Sequence, residues 1–523
     1  MESSISKLDL IVIIIYLLIV VLLGIWASKK TKSGDDLFLG GRTFTWGFIG
    51  LSLFASNISS TTIIGLTGAA YSSGIVQSVY EWISGIPLII AAFIFVPLYL
   101  KAQITTIPEF LAKRYDRRSQ VFFSAVTIIT SILVETAGGL YAGAIVIKTF
   151  FPELIIWKTT IFLALFAGLY TAFGGLKAVV YTDSLQAIIL IVGSSILTYI
   201  LFEKIDFSID KMISSAPNGH FSIYRPIDDP ILPWPGLFLG VPLLGFWYWS
   251  TNQYIVQRIL GARNIKHARW GVLLGGFLKL IPLFIMVIPG AMAISVFTGI
   301  ENPDMVYSTI VLKSLPSGLI GLVLAGLLSA IMSSVDSTLN SSSTLVIIDF
   351  IKPKFSSLSQ KQILKYGRIT TFILMTIAAL WAPMIEKFGG IWIYLQQMYT
   401  IFVPPIVVLF LVGVFYKKGN AHGAYMTLIL GTVLGITLFI LQQLGYWKIH
   451  FTITAGIVVF ISAILFVIFS NHKTPPTKEV IEKFTFNNSL LSVENLNAKW
   501  YENYQLWSLI LFIIIVLLFF ILQ

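Results

Sequence analysis

The chain has 523 residues, 56% of them hydrophobic and 11% charged, with a mean hydropathy of +0.87. These values exclude an ordinary soluble domain and describe a polypeptide whose solvent is the lipid bilayer. It has no cysteine and five scattered histidines, which excludes disulfides and thiolate metal sites and makes a zinc cluster a poor reading. The net charge of +11 sits in short Lys and Arg clusters between apolar segments rather than in one stripe, so it reads as topology signals and not as a nucleic-acid surface.

The first apolar segment, residues 8–27, follows acidic Glu2 and Asp9 and precedes Lys29, Lys30 and Lys32. A cleaved signal peptide has the reverse charge order, so this segment is expected to stay as a membrane helix with its N-terminus outside. At roughly 20 residues per crossing the chain holds about fourteen spans, centred near residues 17, 58, 88, 134, 166, 189, 245, 283, 331, 374, 402, 433, 460 and 513. The fold class is an all-α membrane protein. Loops expected in the cytoplasm hold Lys101, Lys113, Arg114, Arg117 and Arg118, then Arg258, Arg263, Lys266 and Arg269, then Lys352, Lys354, Lys361, Lys365 and Arg368, then Lys417 and Lys418. The bias alternates along the chain and places both termini outside the cytoplasm of a cell-membrane protein. Residues 203–232 form a longer external loop, and 471–501 a polar cytoplasmic one. One polytopic domain results: residues 1–37 add a helix and linker, 38–420 form the core, and 421–523 are peripheral helices.

Within these spans some residues do not suit lipid. Ala55, Ser56, Asn57, Ile58, Ser59, Ser60, Thr61 and Thr62 interrupt an apolar stretch. Polar side chains at mid-membrane depth need partners, and the carbonyls of a locally unwound helix can hold a bare cation, as ion-coupled transporters do. Gln77, Glu81 and Ser84 follow at i, i+4, i+7 and are expected to stack on one face. An ionised Glu81 at that depth costs at least about 2.5 kcal/mol unless paired or wetted. Asp183, after Thr182 and before a long apolar run, either caps a helix or belongs to a site. The span near 245 is marked by Gly and Pro, five spans after the polar break near 58, the spacing of an inverted five-helix repeat. Lys279 is deep among apolar residues; it either snorkels to an interface or donates to an oxygen-rich ligand beside Glu81. Ala330, Ser333 and Ser334, and then Ser333, Asp336 and Ser337, fall at i, i+3, i+4, a face of hard oxygens suited to Na⁺ or a close-packing helix surface. Gln396 and Gln397 beside Trp392 and Tyr394 pair amides with aromatics, as sugar sites do, although interhelix hydrogen bonds would use them equally.

The stretches FLGGR (38–42), ASNIS (55–59), YEW (80–82), TIPEFLAKR (106–114), GGLKAVVYTDSLQ (174–186), NQYIVQR (252–258), FLKL (277–280), SSVDSTLNS (333–341) and YLQQ (394–397) resemble the sodium/solute symporters. The likeness is nearest to the sodium/sugar cotransporter branch and extends over residues 38–420. It implies a leucine-transporter-type core of two inverted five-helix repeats that works by alternating access. It further implies a sodium site at the carbonyls of Ala55, Ile58 and Ala330 and the hydroxyls of Ser333 and Ser334. Implied sugar contacts are Asn57, Glu81, Ser84, Lys279 and Gln396, with Thr62 at a contact position that bears a longer side chain in near relatives and Gly245 in place of an Asn or Thr. Tyr248, with Trp249 beside it, falls where the family blocks the inner exit, and Leu66, Tyr80 and Trp392 fall at the outer gate. A second sodium, as in some relatives, would use Asp183, Ser333, Asp336 and Ser337.

The expected function is therefore Na⁺-coupled import of a sugar or polyol, with Na⁺ and the bilayer as further partners and no protein partner evident. The alternative is the same fold carrying a carboxylate such as proline, a monocarboxylate, pantothenate or sialic acid, which needs a cation near the ligand that the span near 134 does not offer as Arg. An enzyme is not expected: GGLK lacks the spacing of a phosphate-binding loop.

Overall fold

The computed structural model describes residues 6–28, 34–151, 153–355, 357–388, 391–487 and 499–523, leaving aside the side chains at 21, 24, 27–28, 34–35, 60, 149, 166–175, 329–330, 333, 386–388, 391–394 and 397. Among the described residues the chain is helical, joined by one isolated bridge between Phe44 and Ala262. Among the described residues nine helices are long and apolar enough to cross a membrane, and the bent pair Trp46–Asn57 and Thr61–Ser73 makes a tenth if counted as one span. Each span centre read from the sequence falls on a helix or on the break of this pair. The centres near 166 and 189 both lie in one helical stretch, Ile156–Lys204.

The outer surface is apolar. On Lys7–Ser28, Leu8, Ile11, Ile15, Leu18 and Leu22 are exposed, an i, i+3, i+7 stripe that suits lipid. The inner faces carry the polar residues instead. The Asp9 carboxylate accepts the amides of Gly318 and Gly321, both at 2.7 Å, and so caps the N-terminal turn of Leu319–Leu345 from another helix. Gly74, at φ +84°, ends Ser60–Ser73 where an added Cβ would stand 2.0 Å from the His220 carbonyl. This close approach lets Ile75 N–H bond His220 O at 2.9 Å and pins the loop of residues 205–232 to the helix end.

The irregular points recur five spans apart. Trp46–Asn57 stops at Ile58 and restarts at Ser60, and Trp234–Ser250 stops at Thr251 and restarts as Gln253–Leu260. The crossing over residues 75–102 is interrupted at Ile83–Ser84 and then carries a π-helical turn, Ala91–Phe95; that over 265–296 is interrupted at Lys279–Leu280 and carries Leu283–Val287. Further π-helical segments, Thr130–Thr136 and Val346–Ile351, lie in the next pair. Such bulges concentrate where side chains must be re-aimed.

Two sequence expectations need correction, and one alternative closes. Arg114, Arg258 and Arg269, read as loop charges, are 2%, 0% and 3% exposed. Arg114 donates to the carbonyls of Gly419 and Gly413 at 2.8 and 3.2 Å, near the end of Ile391–Phe415, and Arg269 to Ala92 in the π-helical turn at 3.2 Å, so these guanidiniums satisfy backbone carbonyls rather than project as loop charges. Of the two roles open to Asp183, cap or site residue, its place inside Ile156–Lys204, fully buried, removes the first. Gln77 does not share a face with Glu81 and Ser84, because Ile75–Ser78 is a 3₁₀ turn whose tighter angular step rotates it away, and its amide donates to Ser73 at 3.0 Å.

Candidate functional site

The first break leaves carbonyls without their helical partners. Ser59 N–H, which a continuous helix would direct to the Ala55 carbonyl, bonds Asn57 O at 2.9 Å. Thr62 N–H, which would bond the Ile58 carbonyl, bonds Ser59 Oγ at 3.2 Å. The sequence favours this because Ser59 is a good N-cap and Ile58, at ψ 74°, is outside the helical region. Ala55 and Ile58 thus offer carbonyl oxygens at adjacent turns of the same break. Ser334, on Leu319–Leu345, is buried; Ala330 and Ser333 are on that helix, but their side chains lie outside the described residues.

Between those two carbonyls the Asn57 side chain turns into a cavity of about 110 Å³, lined also by Thr62, Tyr80, Glu81, Ser84, Gly245, Tyr248, Trp249 and Gln396. Lys279, at the end of Ile265–Leu278, is 1% exposed and donates to both Asn57 Oδ1 and Glu81 Oε2, with its ammonium 5.5 Å from the Trp249 ring centre. The cation therefore does not snorkel; it is paired, hydrogen-bonded and stacked over an indole. Ser84 Oγ donates to Tyr80 O at 2.9 Å, and Thr62 Oγ to Asn57 O at 2.9 Å, so Thr62 braces the break while facing the cavity. Tyr248 packs edge-on to Trp249, with ring centres 5.1 Å apart. Leu66 is fully buried in the core and is not among the cavity's lining residues, and the Trp392 side chain lies outside the described residues.

Asp183 and Ser337 are brought together around a group the sequence reading had placed in a loop. Arg258 Nη2 reaches Asp183 Oδ2 at 3.1 Å and also bonds Ser56 Oγ and Ser337 Oγ, while its Nε donates to Ser52 at 2.6 Å. Ser52 and Ser56 in turn donate to Asp183 at 2.6 and 3.0 Å. The ion pair is buried on both sides, at 1% and 0% exposure. Asp336 is also fully buried.

Sequence reasoning missed Glu135. Its carboxylate accepts from Tyr254 at 3.0 Å and from Tyr399, the Tyr248 and Tyr254 hydroxyls bond each other, and all four residues line the cavity. The rule that marked Glu81, an acid inside an apolar span, applies equally to Glu135 and would have found it.

A bundle with two broken helices, carbonyls freed at one break and a polar cavity against it is the arrangement of an ion-coupled secondary transporter. The description "Sodium:solute symporter family" fits residues 37–431. The chain is 36% identical over 477 residues to sodium/glucose cotransporter 1 of Mus musculus, covering 83% of this chain and 72% of that protein. It is 32% identical over 565 residues to the sodium/myo-inositol cotransporter of Homo sapiens, covering 95% and 78%. Its fold is similar to that of a Na⁺-coupled sialic acid symporter solved in a substrate-bound, outward-open state, with a TM-score of 0.80 at 22% identity over 90% of this chain and 99% of that one. The chain belongs to the sodium:solute symporter family, the family its motifs resemble.

Proposed function

We propose that this protein is a secondary-active symporter that uses Na⁺ to import a sugar or polyol by alternating access. The observation that carries the reading is the position of Asn57: it lies between the two freed carbonyls of the break and its side chain faces the polar cavity. The relatives named for sodium/glucose and sodium/myo-inositol cotransport support the solute class.

In this reading Na⁺ is held by the carbonyls of Ala55, Ile58 and Ala330 and the hydroxyls of Ser333 and Ser334, hard oxygens that suit a hard cation. Binding there fixes the geometry of the break and with it the aim of Asn57. The solute's hydroxyls are met by Asn57, Glu81, Ser84, Lys279 and Gln396, groups that between them donate and accept. Lys279 donates to Asn57 and Glu81, so a sugar hydroxyl enters by taking over one of those hydrogen bonds. Tyr248 and Trp249 close the inner side, and Leu66, Tyr80 and Trp392 close the outer one. A second sodium at Asp183, Ser333, Asp336 and Ser337 would have to share its site with the Arg258 guanidinium, which favours one coupling ion.

The test is uptake of labelled hexoses and inositols into proteoliposomes under an inward Na⁺ gradient, repeated with K⁺ or choline in its place. Uptake is expected to fall at least about tenfold, the ratio that 1.4 kcal/mol of coupling supplies; undiminished uptake would sink the proposal. Including proline, pantothenate and sialic acid as competitors separates the carboxylate alternative.

A further inference from the structure

We infer that Glu135 and the aromatic rings around it form an ammonium subsite, so that the solute this transporter prefers is an aminated sugar or polyol carried as a cation; this rests on the sugar or polyol reading above. Two of the residues lining the cavity are charged, Glu81 and Glu135, and both are acids. Glu81 is neutralised by Lys279. Glu135 is held by the phenol hydroxyls of Tyr254 and Tyr399, and no ion pair involves it among the described residues. A carboxylate has about four acceptor positions, of which two are filled here, leaving room for a donor from the cavity. An acid in this setting is costly to keep ionised without a cation, and a cationic ligand supplies one.

The rings argue for the same ligand. Trp247 and Tyr399 have centres 4.8 Å apart, and Tyr248 and Tyr254 5.8 Å apart, and all four rings line the same cavity as Glu135, where their electron-rich faces can meet a cation. An acid inside an aromatic cage is the chemistry that recognises organic ammonium groups. It also selects against a solute carboxylate, which would meet Glu135 as a like charge. Glu135 is on the crossing over 117–148, Tyr254 on Gln253–Leu260 and Tyr399 on Ile391–Phe415, so the subsite sits where three elements meet.

The test uses the intact protein in uptake assays under an inward Na⁺ gradient with paired competitors: glucose with glucosamine, galactose with galactosamine, mannose with mannosamine, and the N-acetyl form of each amine as a neutral control. In at least one pair the amine is expected to compete about tenfold better than both its parent and its N-acetyl form. In Glu135→Gln that ratio is expected to fall toward one. Parents competing as well as or better than their amines in every pair would overturn the inference, and this comparison on the wild-type protein stands whether or not the variant folds. If Glu135 serves instead to balance the coupling ion, Glu135→Gln raises the Na⁺ half-saturation and leaves the amine-to-parent ratio unchanged, which also overturns it. Loss of Na⁺ dependence for every solute would be failure of the symporter reading itself, a separable result.

Discussion

At the first break the displaced amides turn inward on the turn itself, Ser59 to Asn57 and Thr62 to the Ser59 hydroxyl, and the carbonyls of Ala55 and Ile58 are left without them. At the second break a side chain takes one of the freed carbonyls. Tyr99 donates to the Ser250 carbonyl at 2.7 Å, while the Trp247 carbonyl keeps its helical partner, the Thr251 amide, and also takes the displaced Asn252 amide, both at 3.0 Å, and Thr251 Oγ at 2.9 Å. Residues 55–62 are mostly small or hydroxylated, whereas Trp247, Tyr248 and Trp249 precede the second break, and members of both sets line the same cavity. The same interruption of a helix thus leaves carbonyls open in one half and is flanked by aromatic side chains in the other.

The largest expected effect comes from the group that joins the two breaks. Arg258→Met leaves Asp183 buried without its cation and should cost about 3–5 kcal/mol, read as a large drop in melting temperature in detergent; adding Asp183→Asn should restore much of it. A melting temperature unmoved by Arg258→Met would break the link drawn between the halves. Next, Ser334→Ala should raise the Na⁺ half-saturation severalfold with little change in solute affinity at saturating Na⁺, while Gln396→Ala should do the reverse. Equal effects of both on both ligands would argue against adjacent, separate sites.

The caps test the contrast more finely. Ser59→Ala and Asn252→Ala each remove an N-cap worth about 1 kcal/mol, but only Ser59→Ala should also shift Na⁺ half-saturation. If Asn252→Ala shifts it equally, the second break is an ion seat too. The smallest effect is expected far from both breaks. His450, which caps Phe451–Asn471 by accepting from Thr452 N–H, is pushed down to about 4 by burial. A depressed histidine favours the fold only while neutral, so its contribution is complete above about pH 6.5 and declines as pH falls from there toward 4. Melting temperature should therefore decline slightly between pH 7 and 5, and His450→Asn, which keeps a capping side chain, should flatten that decline.

The polar break at 55–62 and the pairing of Glu81 with Lys279 were legible because each violates the apolar pattern of a membrane span, and violations are few in such a chain. Glu135 violates it in the same way; its partners come from elements more than a hundred residues away, so the tyrosine cage had no local signature. Gln77 was misplaced because spacing arguments assume the α-helical step, and the 3₁₀ turn at Ile75–Ser78 changes it. Arg258 was misread for a different reason. A guanidinium near a loop has the same sequence appearance whether it faces water or satisfies a buried carboxylate and backbone carbonyls, and only tertiary packing distinguishes the two.

Arg258 also has a kinetic meaning. Its guanidinium grips Ser52 and Ser56 of the first broken helix, Asp183, Ser337 and the Tyr254 carbonyl of its own helix. Any rotation of the broken helices against Ile156–Lys204 and Leu319–Leu345 by more than a hydrogen-bond length must release part of that grip. In the alternating-access cycle proposed above, that release belongs to every turn of the helices, so this one buried ion pair ties four elements to a single event.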